Sequence, residues 1–177
     1  TCPTDAISDV FESKSADYDK KVRTTCSYCG VGCNLEASVK NGKVISIDTP
    51  KKTEVNAGHT CLKGRYAFGF YDHEDRLRSP LIKRNGKFEK ASWDEAYDYI
   101  KNKLEKITKE NGPDAVAGIS SARCTNEENY VFQKMIRATI GTNNIDCCAR
   151  ICHSPTAWGM QQTFGTGAAT NSTEDIY

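Results

Sequence analysis

The 177-residue chain has almost no excess charge of either sign: 24 Lys and Arg stand against 23 Asp and Glu, a formal net charge of +1. Such a balance builds no strong field, which excludes the broad basic face of a nucleic-acid binder and the polybasic patch that seeks an anionic membrane. Long apolar runs are missing too. No stretch approaches the roughly 20 residues that span a bilayer, so direct membrane insertion is not expected, and no secretory pattern is visible. An initiator methionine is absent, and the sequence reads as a piece of a longer polypeptide. At 38% hydrophobic and 27% charged residues, the chain is of the water-soluble globular class, with length for one domain or two small ones.

Cysteine is what the chain has in plenty. Nine cysteines would suggest disulfides in a small secreted protein, but their spacing is that of metal ligands. They read as thiolates and thiols of a reducing, cytoplasmic interior or of an anaerobic assembly route. Cys26, Cys29 and Cys33 follow C-x2-C-x3-C, and Cys61 opens Cys61-Leu62-Lys63-Gly64 after a long gap. Three local thiolates and one remote thiolate meet the four-cysteine demand of a [4Fe–4S] centre. The competing reading is a structural zinc, whose ligands usually come as two close pairs. Cys61 has no near cysteine partner, and counting His59 would give five candidates for a four-coordinate ion.

A second signature opens the chain, Thr1-Cys2-Pro3-Thr4-Asp5-Ala6-Ile7. It resembles the tail of a bacterial ferredoxin module, in which the cysteine before the proline ligates the other cluster of a two-cluster pair. Residues 1–7 are therefore expected to close such a module, and the polar, mixed-charge residues 8–21 to be a linker. Residues 22–75 form a small cluster domain with a β-hairpin at Asn41-Gly42, and residues 76–177 begin an α/β domain after a second hairpin at Asn85-Gly86.

Within that second part, Ser92-Trp93-Asp94-Glu95 is a capping box. Trp93, Ala96, Tyr97, Ile100, Leu104 and Ile107 recur at helical spacing, which predicts one buried face. Gly112-Pro113 stops the helix, residues 114–120 read as a buried strand, and Thr125-Asn126-Glu127-Glu128 caps a further helix ending near Gly141. Helix, strand and helix in this order predict an α/β domain with a largely parallel sheet, inside an α+β whole, and a further strand is expected to start at 175–177.

The third constellation is Cys147-Cys148-Ala149-Arg150-Ile151-Cys152-His153-Ser154-Pro155. Ser154 as N-cap with Pro155 at the first helical position places Cys152 and His153 just before a helix N-terminus. A helix dipole and a neighbouring imidazole both favour thiolate. The residues alone leave a nucleophile, a soft-metal ligand and a buried small side chain all open. Cys124, Cys147 and Cys148 have no ligand spacing of their own and read as thiols of the core or of a cofactor's surroundings.

Taken together, the cluster cysteines with Cys61-Leu62-Lys63-Gly64, then Ser121-Ala122-Arg123, Gly141-Thr142-Asn143-Asn144 and Cys148-Ala149-Arg150-Ile151-Cys152-His153, resemble the catalytic subunit of molybdenum- or tungsten-dependent formate dehydrogenases. The cysteine set is shared with the wider molybdopterin oxidoreductases, nitrate reductases among them. The Cys-His pair is the formate dehydrogenase mark. The resemblance implies that Cys152 ligates Mo or W, held by a bis-molybdopterin guanine dinucleotide, and that His153 assists C–H cleavage. It implies that Lys63 links pterin and cluster, and that Arg123 and Asn171 contact the pterin cofactor. Formate would be oxidised reversibly to CO2, with electrons leaving through the four-cysteine cluster and a second one partly ligated by Cys2. The outlet would be a partner subunit such as an NAD-reducing flavoprotein, a hydrogenase or a ferredoxin-type protein. Two alternatives stand beside this: another molybdopterin oxidoreductase of nitrate reductase type, and a cluster-only electron-transfer subunit.

Overall fold

The computed structural model describes residues 17–168 and 170–176. The first unit is a three-stranded antiparallel sheet of β1 (Lys20–Thr25), β2 (Asn34–Lys40) and β3 (Lys43–Asp48), in that spatial order. β2 and β3 are joined through Asn41 and Gly42, whose φ angles of 50° and 76° are both positive. That is the pairing of a tight primed hairpin turn, whose twist matches the strands it connects. A register irregularity at Ser38/Val39 bends β2. β1 begins at Lys20, so the last residues of the expected linker 8–21 belong to the sheet, paired with Val39 and Ser38.

Leu35, Ala37 and Ile47 are buried together with Cys26 and Phe68, and Tyr28, Cys33, Val44 and Tyr71 pack against them. Two of the candidate cluster ligands therefore belong to the core of this unit. After β3 the chain crosses a loop to the short helix α1 (Leu62–Tyr66) and a single 3-10 turn, Gly69–Asp72. The Tyr71 hydroxyl accepts the Val44 N–H at 2.5 Å and so ties that turn to β3.

The hairpin of β4 (Leu81–Arg84) and β5 (Lys87–Lys90) turns at Asn85-Gly86, again with both φ angles positive. Helix α2 (Trp93–Asn111) follows, with the Ser92 hydroxyl accepting the Glu95 N–H. The capping box expected here is half realised, because the Glu95 carboxylate takes the Arg84 guanidinium of β4. The expected burial of α2 is not found. Trp93 is 63% exposed and Ile100 53% exposed, and of the apolar stripe only Ala96 and Leu104 are half-buried. Lys101–Glu105 and Lys106–Glu110 ion pairs line its charged side.

Gly112, at φ 83°, ends α2. The expected strand over 114–120 is shorter than its composition suggests. Pro113–Ala115 forms a 3-10 turn, Pro113 being suited by its fixed φ to the first helical position, and only Gly118–Ser120 is β6. Helix α3 (Asn126–Lys134) carries the complete capping box at Thr125 and Glu128, and runs through a π-helical turn, Met135–Ile140, to the left-handed Gly141. β7 (Ile145–Cys147) then pairs in parallel with β6, completing a β-α-β unit. Gly118 lies where β6 meets α3: a Cβ there would come 2.9 Å from Ile136 Cγ1 and 3.1 Å from the Phe132 ring. The chain continues into α4 (Ala149–Cys152) and α5 (Ser154–Phe164), and Thr173–Ile176 is a 3-10 turn where a strand was expected. The whole is a mixed α/β architecture.

Candidate iron–sulfur and metal sites

The β1–β2 register pairs Thr25 with Asn34, which makes Cys26 and Cys33 the next opposed residues beyond the strand ends. The Cys26 N–H donates to the Cys33 carbonyl at 2.8 Å and closes loop 26–33 at its neck. Gly32, at φ 67°, supplies the left-handed residue that brings the chain back. The C-x2-C-x3-C spacing is thus a loop hung from the end of a hairpin.

Cys61 arrives by a separate route, held by Asn56. The Asn56 side chain accepts the Asn34 N–H at 3.0 Å and donates to the carbonyls of Asn34 at 3.2 Å and His59 at 2.6 Å. One amide thereby joins the residue after Cys33 to the residue two before Cys61. Thr49 donates to the Gly58 carbonyl at 2.5 Å and accepts from Arg65 at 3.0 Å, fixing the same loop to α1. Nothing in the residue pattern singled out Asn56; a turn-forming Asn in a loop was the sole hint.

The thiols differ in their surroundings. Burial, and then the neighbouring Cys33, Cys29 and Cys61, push the Cys26 thiol up, against a lowering hydrogen bond from the Tyr28 backbone. The Cys61 sulfur sits at the start of α1, where the N–H groups of Gly64 and Lys63, and then the Lys63 charge, hold it below the ordinary thiol value. Among the described residues no three Cys, His, Asp or Glu side chains converge closely enough to hold one ion. A donor set of four cysteines is what a cuboidal cluster takes, each cysteine on a different iron. Two further features fit it. The Thr60 hydroxyl, adjacent to Cys61, is buried and has no hydrogen-bond partner among the described residues. Gly64 must stay bare, because a Cβ there would come 2.4 Å from Thr60 Oγ1 and 3.5 Å from Cys26 Sγ.

The Cys152-His153 pair lies on a kink between two helices. His153 ends α4 and precedes α5, with φ −112° and ψ −47°. The expectation of Ser154 as N-cap is therefore corrected. A capping residue needs extended backbone, but here the chain stays helical, Ser154 is the first residue of α5, and no side chain caps it. The His153 N–H donates to Ala149 O and the His153 carbonyl accepts from Ala157, both within 3.1 Å, so α4 and α5 are nearly continuous. Cys152 and His153 are both exposed, leaving a soft sulfur donor and an imidazole side by side on an open surface.

Cys148, read from the sequence as a bystander, is tied to Cys152. The Cys152 N–H donates to the Cys148 carbonyl at 3.1 Å, and hydrogen bonding from the Ala122 backbone and from the Ser121 hydroxyl at 3.9 Å holds the Cys148 thiol below its ordinary value. The i, i+4 spacing of the two cysteines was the available signal. Arg123 lies in the same β6–α3 loop, its N–H donating to Ser121 Oγ at 3.1 Å, with its side chain exposed. Asn171 is exposed near the end of the chain, and Lys63 is exposed on α1. Cys2 and the rest of its expected ferredoxin tail lie outside the described residues. No helix among the described residues is long and apolar enough to cross a membrane.

Comparison with known proteins gives a consistent answer. The sequence pattern of the molybdopterin oxidoreductase Fe4S4 domain matches residues 19–73, and that of molybdopterin oxidoreductase matches residues 76–177. The chain is 49% identical over 155 residues to F420-dependent formate dehydrogenase 1 subunit alpha of Methanococcus maripaludis, covering 88% of this chain and 22% of the relative. It is 50% identical over 157 residues to subunit alpha of formate dehydrogenase 2 from the same organism, covering 89% and 23%. The chain thus spans about a quarter or less of these relatives' length. Among solved structures, acetylene hydratase from Pelobacter acetylenicus superposes with a TM-score of 0.62 at 27% identity, over 82% of this chain and 21% of that one. With one family pattern taking in more than half of its residues and a second most of the rest, the chain belongs to the molybdopterin oxidoreductase family, its Fe4S4 domain leading into the oxidoreductase domain.

Proposed function

We propose that this chain is part of the catalytic alpha subunit of a formate dehydrogenase. One observation carries the reading: about half of the residues are shared with two formate dehydrogenase alpha subunits over nearly nine-tenths of the chain. The Cys152-His153 pair, adjacent and exposed, supports it. The reaction is HCOO⁻ → CO2 + H⁺ + two electrons. A Mo or W centre with its pterin dithiolenes, when bound, takes up the two electrons.

The residues of this chain divide the remaining work. The Cys152 sulfur is the protein ligand to the metal. His153, an imidazole next to that sulfur, holds or releases the proton lost by formate. Cys26, Cys29, Cys33 and Cys61 hold the [4Fe–4S] cluster, and the peptide N–H groups of Lys63 and Gly64 steady the Cys61 thiolate. Lys63, two residues past that ligand, would supply a positive charge between the cluster and the pterin. Arg123 and Asn171 contribute to the bis-pterin guanine dinucleotide site, and Cys2 to a second cluster nearer the partner subunit. The names of the two relatives add an F420-coupled acceptor to the partner types expected from the sequence.

The test is formate-dependent reduction of the cluster in the full-length subunit purified without oxygen. Cys152→Ser is expected to abolish it and to alter the metal's spectrum. His153→Ala is expected to lower turnover while keeping the sulfur coordination.

A further inference from the structure

We propose that Asn126 is a positioning residue for the iron–sulfur cluster, clasping the Gly30–Val31 peptide between Cys29 and Cys33 and so locking the cluster loop to the loop that supports Cys148 and Cys152. The proposal rests on the four-cysteine cluster reading above and extends it to a residue that bears no metal.

Asn126 Nδ2 donates to the Gly30 carbonyl at 2.8 Å, across 96 residues of sequence. The contact is tight on its other side as well, because a Cβ at Gly30 would lie 2.8 Å from Asn126 Oδ1. A side chain at Gly30 would push the Asn126 amide aside. Asn126 is the first residue of α3, and the reciprocal capping box of Thr125 and Glu128 fixes the backbone from which it projects. The cap is made by Thr125, so the Asn126 side chain is not needed to start the helix. It is exposed, and its amide donates to the Gly30 carbonyl.

On the far side of Asn126 the same short loop reaches the second site. The Ser121 hydroxyl takes the Arg123 N–H at 3.1 Å and donates to Cys148 Sγ at 3.9 Å, and the Cys148 carbonyl accepts the Cys152 N–H at 3.1 Å. Residues 121–126 therefore touch the loop between Cys29 and Cys33 at one end and the cysteine pair of α4 at the other. A peptide unit is planar, so holding the Gly30 carbonyl also fixes the direction of the Val31 N–H. Cluster potentials respond to the dipoles and hydrogen bonds arranged around the sulfurs. Releasing the clasp frees that dipole and loosens the spacing between the two redox sites.

The experiment uses the full-length holoenzyme, with Asn126→Ala, the isosteric Asn126→Asp, Gly30→Ala and the Gly30→Ala/Asn126→Ala double variant. Iron and acid-labile sulfide are counted first. The midpoint potential of the cluster is then read by EPR-monitored titration, and its reduction by formate by stopped flow. Asn126→Asp keeps the shape but sets a carboxylate oxygen against the Gly30 carbonyl, so it is expected to shift the potential and slow cluster reduction several-fold, at least as much as Asn126→Ala. Gly30→Ala is expected to act strongly with Asn126 present and only weakly once Asn126 is alanine, a non-additivity that independent effects do not produce. Loss of iron from a variant that keeps its circular dichroism spectrum also supports the clasp. A parent enzyme without iron and sulfide at this site overturns the cluster reading itself. A parent with a full cluster, whose variants keep its potential and rate or combine additively, overturns the clasp alone.

Discussion

Asn56 grips Asn34 with both halves of its side-chain amide, accepting the Asn34 N–H at 3.0 Å and donating to the Asn34 carbonyl at 3.2 Å. Because Nδ2 also reaches the His59 carbonyl, this one side chain brings the remote Cys61 to the loop of the other three cysteines. Asn56→Ala leaves part-buried backbone groups without partners, at about 1–3 kcal/mol for each buried group so stranded. Chemical denaturation should show the lower stability, and the cluster should be lost faster to a chelator. Unchanged stability and unchanged iron release would remove Asn56 from the account.

Gly64→Ala is expected to strip the cluster, because its new methyl must displace the buried Thr60 hydroxyl, which adjoins the ligand Cys61. Gly42→Ala is the control. Its Cβ meets nothing within 4 Å and its only difficulty is φ 76°, a cost of about 1–2 kcal/mol in the left-handed region. Iron content measured on both variants separates crowding at the ligands from a general loss of stability.

Thr125→Ala removes the cap on the Glu128 N–H, which is one side of the reciprocal box, and the hydroxyl's bond to the Glu128 carboxylate. A loss of about 1 kcal/mol is expected, read as a lowered denaturation midpoint, since Thr125 is the N-cap of α3. Ser92→Ala should cost less than Thr125→Ala, because Glu95 already bonds to Arg84 and not to the Ser92 backbone.

Lys63→Ala should slow reduction of the cluster by formate while leaving iron, metal and pterin contents at parent levels. Retention of the parent rate in rapid-mixing experiments would reject the role assigned to Lys63.

The features legible from residue order were those set by local chemistry. Asn41-Gly42 and Asn85-Gly86 turn where they should because few other pairs tolerate two positive φ angles in a row. The complete capping box at Thr125 was legible for the same reason, since its partners are three residues apart. Contacts across distant sequence were not legible. Asn56 to Asn34, Asn126 to Gly30 and Glu95 to Arg84 are decided by where elements meet in space. Ser154 misled because Ser-Pro is a strong N-terminal signal only where the preceding residue is extended, and His153 is not. The stripe from Trp93 to Ile107 has the period of a buried face, yet only Ala96 and Leu104 in it are half-buried. For the candidate site, spacing indicated the cysteines one by one, while the contact of Ser121 with Cys148 emerged only with the fold.

The most direct measurement is EPR of the anaerobically purified full-length subunit before and after formate, in the parent and in Cys152→Ser. The account predicts that formate elicits the signal of a reduced [4Fe–4S] cluster in the parent, and that Cys152→Ser keeps the cluster, reducible by dithionite, but gives no signal with formate. A parent cluster that dithionite reduces and formate does not, or a Cys152→Ser enzyme that responds to formate like the parent, would contradict it.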